Sequence, residues 1–400
     1  MKVLTLTHNF VRYEGDYAGS FLFALLREFS HFGFSQIVLT PHNEGAKRFE
    51  VLSGIKIFRF PYAAEEREKL VYHGNMHELI TENPLKIFLF WVLLGKYFFH
   101  GLRIVREQKI DLIHAHWWIP SGLVGYFISI LTGRNLIVTC HGTDVALIQK
   151  KRFLQPLAKL VLRKAKAITV VSSYLRKILV ERIGLPKGNI SVIPMPFEFP
   201  NLPVPPKRRR GEKNILCVAR LTSQKRIDVL IDAVFQLNQE MEIKLIIIGD
   251  GPERENLRKH ISERGLEGIA EMRGFIPRDE LPNYYRECDL FVLPSINEGF
   301  GLTLAEAMLN RRPVIGADSG GIPDLIEDGR TGLLFQKGDS GKLAEAMRKI
   351  LKDDRFAQQI AENGYQYVKG NLSSERIGEK MFAVYKDALK EKKVEGKRDY

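Results

Sequence analysis

Cysteine is scarce in this sequence of 400 residues: Cys140, Cys217 and Cys288 are odd in number, widely spaced and set in apolar stretches. They exclude a disulfide framework and a cysteine knuckle for a metal, and suit a reducing cytosol. A signal peptide is not expected, because MKVLTLTHNF reaches His8 and Asn9 too soon. The most apolar run, Ile87 to Phe99, is 13 residues and is interrupted by Lys96, short of the ~20 that a spanning helix needs. A soluble or peripherally attached protein is the expectation. Three nucleotide signatures are also missing: the GxGxxG of dinucleotide enzymes, the Walker GxxxxGK[ST], and any Asp-x-Asp that could hold Mg²⁺ against phosphates. Their absence argues against a dinucleotide oxidoreductase and a P-loop kinase.

What is present is enough apolar residue for sizeable cores, 45% of the chain with 10% aromatic, over a length that suits two or three domains. The net charge of +13 is uneven. Residues 1–200 hold 26 Lys and Arg against 15 Asp and Glu, or +11, leaving +2 for the remainder. A basic front half suggests a surface that meets something anionic, whether lipid, phosphate or nucleic acid.

Short β-prone runs alternate with helical patterns from Val3 to Ile193. The helical stretches include Gly19 to Phe32, Pro84 to Glu107, Ser121 to Leu131, Gln149 to Lys164 and Tyr174 to Ile183. The alternation lapses in the proline-rich and basic stretch 196–213, then restarts with strands expected near 214, 243, 269, 290, 313 and 332. Such a pattern predicts an α/β protein with two Rossmann-like domains. Expected bounds are 1–195, a linker 196–213, 214–370, and a C-terminal helix and charged tail over 371–400.

Ligands of open parallel sheets bind at the carboxyl ends of strands, and the unusual residues lie there. Glu298-Gly-Phe-Gly-Leu-Thr-Leu-Ala-Glu306 follows an expected strand. Its glycines hold the chain out of a helix until about Leu302, so backbone amides and a helix N-terminus can meet an anion. Carboxylates there suit sugar or ribose hydroxyls; the bland reading is a capping Glu298 and a solvated Glu306. Arg220 and Lys225 follow another strand and can reach one diphosphate, although such a pair is often only a solvated face. Gly249-Asp-Gly251-Pro252 and Ser319-Gly-Gly-Ile-Pro-Asp324 are further strand-end glycine loops. In the front half, His141-Gly-Thr-Asp144 ends a strand, where Asp144 would orient the imidazole or simply cap the next helix. His114 and His116 make an HxH pair, but no third clustered ligand supports a metal.

This ordered set, from Gly19 to Asp324, resembles the retaining, GT-B-fold glycosyltransferases of family 4, over nearly the whole chain. The resemblance implies two domains facing across a cleft, with the C-terminal helices packing back toward the N-terminal domain. Arg220 and Lys225 would bind the donor diphosphate, helped by amides near Gly299, Phe300, Gly301 and Leu302. Glu306 would hold the ribose, and Glu298 the hydroxyls of the transferred sugar with His141 and Asp144 as its catalytic partners. Gly249, Gly251 and the loop Arg273-Gly274-Phe275 would complete the donor site, with the latter meeting the base. Gly19 and His116 would lie on the acceptor side. Transfer would proceed with retention, by same-face attack, without metal or other cofactor. The sequence departs from the family at Ala18, Ala219, Arg226 and Arg311, each where glycine is usual; Asn310 would take the left-handed helix cap instead.

The segment 84–103, aromatic and apolar with scattered cations, and the cluster Lys150, Lys151, Arg152, Lys159, Arg163, Lys164 and Lys166 fit docking on an anionic membrane surface. They fit a core helix and a solvated face equally well. The expected partners are a nucleotide-sugar donor, a glycan or lipid-linked acceptor and that membrane surface, in the cytoplasm or peripherally on the inner face of the membrane. A same-fold epimerase or phosphorylase-like enzyme is the nearest alternative. A basic nucleic-acid-binding protein is the more distant one, since no stacking motif or recognition helix is evident.

Overall fold

The computed structural model describes residues 1–13, 16, 18–72, 76, 84–196 and 211–390. It divides into two compact units, Met1–Val170 with Arg176–Pro196 and Ser374–Tyr400, and Val171–Leu175 with Phe197–Ser373. Most of the expected linker, 197–210, and the tail 391–400 lie outside the described residues.

The first unit is built on one sheet of eight strands: β1 (Lys2–Leu6), β2 (Ser35–Pro41), β3 (Phe49–Leu52), β4 (Ile55–Phe60), β5 (Leu112–His116), β6 (Asn135–Cys140), β7 (Ala167–Val170) and β8 (Ile190–Val192). Their order is β3-β4-β2-β1-β5-β6-β7-β8, and every pairing is parallel except β3 with β4. The near-continuous apolar runs, such as Val3 to Leu6, are buried on both faces, as a helix-covered parallel sheet requires. The edge strand β3 was not evident from the sequence, because half-exposed Phe49 to Leu52 carries no buried run.

The helices of this part of the chain are α1 (Ser20–His31), α2 (Pro84–Glu107), α3 (Leu123–Thr132), α4 (Thr143–Lys150), α5 (Gln155–Lys164) and α6 (Ser173–Ile183). The single helix expected over Gln149 to Lys164 is corrected to two. Lys151 leaves helical geometry at φ −120° and ψ 82°, and Pro156, which lacks an amide donor, is accommodated in the first turn of α5. The apolar-run count is also corrected. Leu85–Glu107 is long and apolar enough to cross a membrane by length and composition, because a single lysine does not end an apolar helix. One face of it belongs to the core: Leu93 and Tyr97 are fully buried, and the Tyr97 hydroxyl donates to the carbonyl of Thr7 at 2.9 Å.

The second unit repeats the plan with β9 (Lys213–Val218), β10 (Ile243–Ile248), β11 (Ala270–Gly274), β12 (Leu290–Leu293), β13 (Val314–Ala317) and β14 (Leu333–Phe335), all parallel, in the order β11-β10-β9-β12-β13-β14. Its helices are α7 (Ile227–Leu237), α8 (Arg254–Glu263), α9 (Leu281–Glu287), α10 (Leu302–Leu309), α11 (Ser340–Lys352) and α12 (Asp354–Asn371). A last helix, α13 (Ser374–Leu389), belongs to the first unit. There the buried Tyr385 ring stacks on Phe29 at 4.8 Å and its hydroxyl meets His114 Nδ1 at 2.7 Å. The expected return of the C-terminal helix is borne out by these contacts.

In each sheet the strand order reverses once beside the first strand, between β1 and β5 and between β9 and β12. Loops leaving adjacent strands at such a point diverge to opposite faces and open a crevice for a ligand. The residues of interest lie on those four loops or close to them.

Candidate active site

In the second unit the loop after β9 carries exposed Arg220 and then Lys225 in a short 3-10 turn. Arg226 follows at φ 49° and ψ 40°, a left-handed conformation that favours glycine. The loop after β12 runs alongside, tied by the Ile296 amide donating to the Gln224 carbonyl at 2.9 Å. This brings Lys225 Nζ to 2.5 Å from Glu298 Oε2. Burial acts to raise the Glu298 carboxyl, but the Lys225 charge and hydrogen bond outweigh it and hold the group below its ordinary range. The sequence placed these two residues at different ends of the donor, and their contact is a finding of the fold.

Three glycine loops shape this edge. A Cβ on Gly249, at φ 134°, would lie 1.9 Å from the Ala219 carbonyl oxygen, and one on Gly251 2.3 Å from that of Leu221. These glycines let the loop after β10 pack on the backbone around Arg220. A Cβ on Gly320 would meet the Glu298 carbonyl at 2.4 Å, and the Gly321 amide donates to that carbonyl at 2.8 Å. The Ser319–Asp324 loop therefore cradles the Glu298 backbone. Gly301, at φ 95°, caps α10, which starts at Leu302 as expected, so the first amides after Gly299 and buried Phe300 lack intrahelical acceptors.

Glu306 lies inside α10 and is buried, which excludes its reading as a solvated carboxylate. Tyr285 on α9 donates to its Oε2 at 2.8 Å, and Arg278 stands 3.8 Å from Oε1. Burial raises the carboxyl, and Arg278 and Tyr285 offset this in part. Neither partner was evident from the sequence. Further along the sheet, Arg273 is exposed and pairs with Glu271 at 2.7 Å, while the Gly274 carbonyl accepts from the Gly249 amide at 2.8 Å. Phe275 is 70% exposed, an apolar ring in water at the β11 exit. At the far end of α10 it is Arg311, at φ 50°, that turns left-handed, with Asn310 at φ −85°; the expected Asn310 cap is corrected. Arg311 is held there by Glu362 at 3.0 Å and by its position over the Tyr365 ring at 3.6 Å.

In the first unit His116 ends β5 and is fully buried, with its Nδ1 3.0 Å from Nε2 of His141 at the β6 exit. Trp117 and Phe21 pack on the His141 ring at centroid distances of 4.2 and 5.4 Å, and His8 sits 4.5 Å from Trp117. Burial pushes His141 down to about 3, assisted by neighbouring His114 and His8, and pushes His8 down to about 4. Both imidazoles are neutral at neutral pH.

Asp144 is corrected in role. Its Oδ1 accepts from the amides of His141 at 3.1 Å, Gly142 at 3.0 Å and Val145 at 3.0 Å, and its Oδ2 from Trp118 at 3.1 Å. A carboxylate so occupied fixes the backbone turn that carries His141 and does not orient the imidazole directly. His114 spends both nitrogens inside the fold, on Tyr385 and on Thr139, each at 2.7 Å. Gly19, at φ 71°, is pressed against Asn9 and Phe10, where a Cβ would stand 2.8 Å from the Asn9 carbonyl.

The second unit thus offers cations, amides and two carboxylates suited to a phosphorylated, hydroxyl-rich ligand, and the first a neutral imidazole cluster. Known proteins resemble the chain over most of its length. Residues 18–199 match the family described as Glycosyltransferase Family 4, and residues 199–367 match glycosyl transferases group 1. The chain is 28% identical over 270 residues to an uncharacterized glycosyltransferase of Methanocaldococcus jannaschii, covering 67% of this chain and 73% of that one. It is 26% identical to the N-acetyl-alpha-D-glucosaminyl L-malate synthase of Bacillus anthracis, over 72% of this chain and 78% of the relative. The sucrose-phosphate synthase of Thermosynechococcus elongatus shares its fold, with a TM-score of 0.77 at 22% identity, covering 96% of this chain and 98% of that one.

Proposed function

This chain belongs to the group 1 and family 4 glycosyltransferases, enzymes that use nucleotide sugars, and from that premise we propose that it moves a hexosyl unit with retention and without a metal. The observation that carries the reading is the Lys225–Glu298 contact at the switch point of the second sheet. Lys225 and Arg220 supply fixed positive charge for the diphosphate, which carries the developing negative charge as it leaves. Glu298, kept ionised by Lys225, accepts hydrogen bonds from hydroxyls of the transferred sugar. The α10 amides beyond Gly301 add partial positive charge at the phosphates. Buried Glu306, steadied by Tyr285, takes the ribose hydroxyls, and Arg273 to Phe275 meet the base.

His141 takes part in the transfer as a neutral hydrogen-bonding group, with Asp144 holding its turn and His116 its ring. Gly19 and the residues beside His116 serve the acceptor side, a glycan or lipid-linked acceptor handled in the cytoplasm. Attack by the acceptor hydroxyl on the face from which the nucleoside diphosphate departs breaks the anomeric C–O bond and forms the new one with the same configuration, and the hydroxyl proton passes to the departing phosphate oxygen.

The test is to incubate the protein with UDP-, GDP-, ADP- and dTDP-sugars and follow nucleotide release and the anomer formed by ¹H NMR. An α-linked donor giving the α-product first, at a rate unchanged by EDTA, is expected. A β-product, or a rate lost to EDTA and restored by a divalent ion, would overturn the corresponding part of the reading.

A further inference from the structure

The helix α2 is apolar on two faces, and among the described residues only one of them is used inside the protein. Leu93, Tyr97, Ile104 and Val105 are buried. On the other side Phe88, Trp91 and Phe99 are 69%, 64% and 67% exposed, and Leu85 is 76% exposed. Phe88, Trp91, Gly95 and Phe99 follow one another at intervals of three or four residues, so they form a single stripe. A Cβ on Gly95 would meet nothing within 4 Å, in keeping with an open side. The next helix, α3, packs beside α2 at Gly101 and Ile128, and exposes Phe127, Ile130 and Leu131. Aromatic and aliphatic side chains in such a row are not the scattered exposure normal for a soluble surface.

The exposed charge along α2 is mostly positive. Lys96, Arg103 and Arg106 are exposed on α2, and its one exposed acid, Glu107, is paired with Arg103 at 2.7 Å. Two copies of the face laid together would set cations against cations, which disfavours a symmetric dimer. Cations beside exposed aromatic rings instead complement an anionic lipid surface, where Trp sits at the headgroup level and Lys and Arg meet phosphates.

We propose that the outer face of α2, with the neighbouring face of α3, is a docking surface for an anionic phospholipid bilayer, on which the helix lies in the plane of the interface. It does not span the bilayer, although Leu85–Glu107 is long enough. Its inner face is tied into the sheet by buried Tyr97, whose hydroxyl meets the carbonyls of Thr7 and Leu39 at 2.9 and 3.2 Å and whose ring stacks on Phe60 at 4.8 Å. Leaving the core would strand those carbonyls and open the cavity that Tyr97 fills. This surface stands on exposure and charge alone and is independent of the donor site.

The chain reports on the proposal through its own fluorescence. Of its three tryptophans, Trp117 and Trp118 are buried at 8% and 0% exposure, so Trp91 is the one that changes environment. Full-length protein is mixed with vesicles of phosphatidylcholine alone or of phosphatidylcholine with phosphatidylglycerol, and bound protein is measured by flotation. Binding to the anionic vesicles with a blue shift in emission is expected, with the shift absent in Trp91→Phe although that variant still binds. Lys96→Gln and Arg103→Gln should each weaken binding about fivefold, and Phe88→Ser with Trp91→Ser should abolish it while the far-ultraviolet spectrum and melting are retained. Equal binding to neutral vesicles, no binding to either, or unchanged binding in the Phe88→Ser, Trp91→Ser variant would overturn the proposal. So would a concentration-dependent dimer without lipid that this variant dissolves, which would make the face a contact between copies.

Discussion

Lys225 Nζ lies 2.5 Å from Glu298 Oε2, so a residue of the turn before α7 is fastened to one that precedes α10, across the point where the second sheet reverses its strand order. Neither side chain is more than a fifth exposed. The pair holds the glutamate ionised and both loops in register before any donor arrives.

Removing either partner should therefore cost transfer more than it costs the fold. Glu298→Ala and Lys225→Ala are each expected to lower kcat by about 10²–10³-fold, with circular dichroism unchanged. The double variant should lose less than the product of the two, because the residues act as a unit. Full activity in a well-folded Glu298→Ala would contradict the site.

Tyr285 acts on the site through Glu306. Deleting its hydroxyl in Tyr285→Phe removes one hydrogen bond to a buried carboxylate, about 1 kcal/mol. Donor KM is expected to rise about fivefold by that energy, with kcat little changed. A fall in kcat with unaltered KM would show that Glu306 serves the chemical step instead of the ribose.

Two backbone positions should respond in opposite directions. Arg226 sits left-handed at φ 49°, where its side chain pairs with Asp228 at 2.9 Å. Arg226→Gly relieves a conformational cost of about 1–2 kcal/mol at the loss of that exposed pair, so a rise in Tm of a few degrees is expected. Gly320→Ala adds a methyl group at φ 64° and within 2.4 Å of the Glu298 carbonyl. It should lower stability by about 2 kcal/mol or more and reduce activity by displacing Glu298. Both outcomes are read by thermal melting alongside nucleotide release.

These positions also show what was legible in the sequence. The alternation of strands and helices, the start of α10 at Leu302 and the strand-end placement of Glu298, Arg220 and His141 follow from local pattern, because a parallel sheet is written in apolar runs and glycine exits. The Lys225–Glu298 contact is not local; it depends on β9 and β12 being neighbours, which only the sheet order decides. The left-handed Arg226 and Arg311 were marked only as places where glycine is usual, and their ion pairs were invisible. Asp144 reads equally as an orienter of His141 or as a cap until four amides are seen converging on it.

The buried histidines make acid sensitivity a property of the first unit. His8 is held down to about 4, and His114 and His141 to about 3, chiefly by burial. In the unfolded chain each takes up its proton near its ordinary value of 6.5. The unfolded state therefore binds more protons as pH falls below 6.5, and stability drops with it until the folded values are reached. Each histidine contributes a loss of about 1.4 kcal/mol between pH 7.5 and 5.5. The lowered Glu298 carboxyl adds its share only at more acid pH, below its ordinary value of 4.5. Urea denaturation at both pH values reads the difference, and equal stability would contradict a neutral, buried cluster.

The most direct test of the central claim, that the second unit binds a nucleoside diphosphate sugar through Lys225 and Glu298, is thermal melting of the purified chain against UDP-, GDP-, ADP- and dTDP-sugars, with Lys225→Ala in parallel. One nucleotide class should raise the melting temperature, with about 2.7 kcal/mol of stabilisation at a hundredfold excess over Kd, and Lys225→Ala should lose most of the rise. No rise with any donor in the folded wild-type protein, or an equal rise in Lys225→Ala, would contradict it.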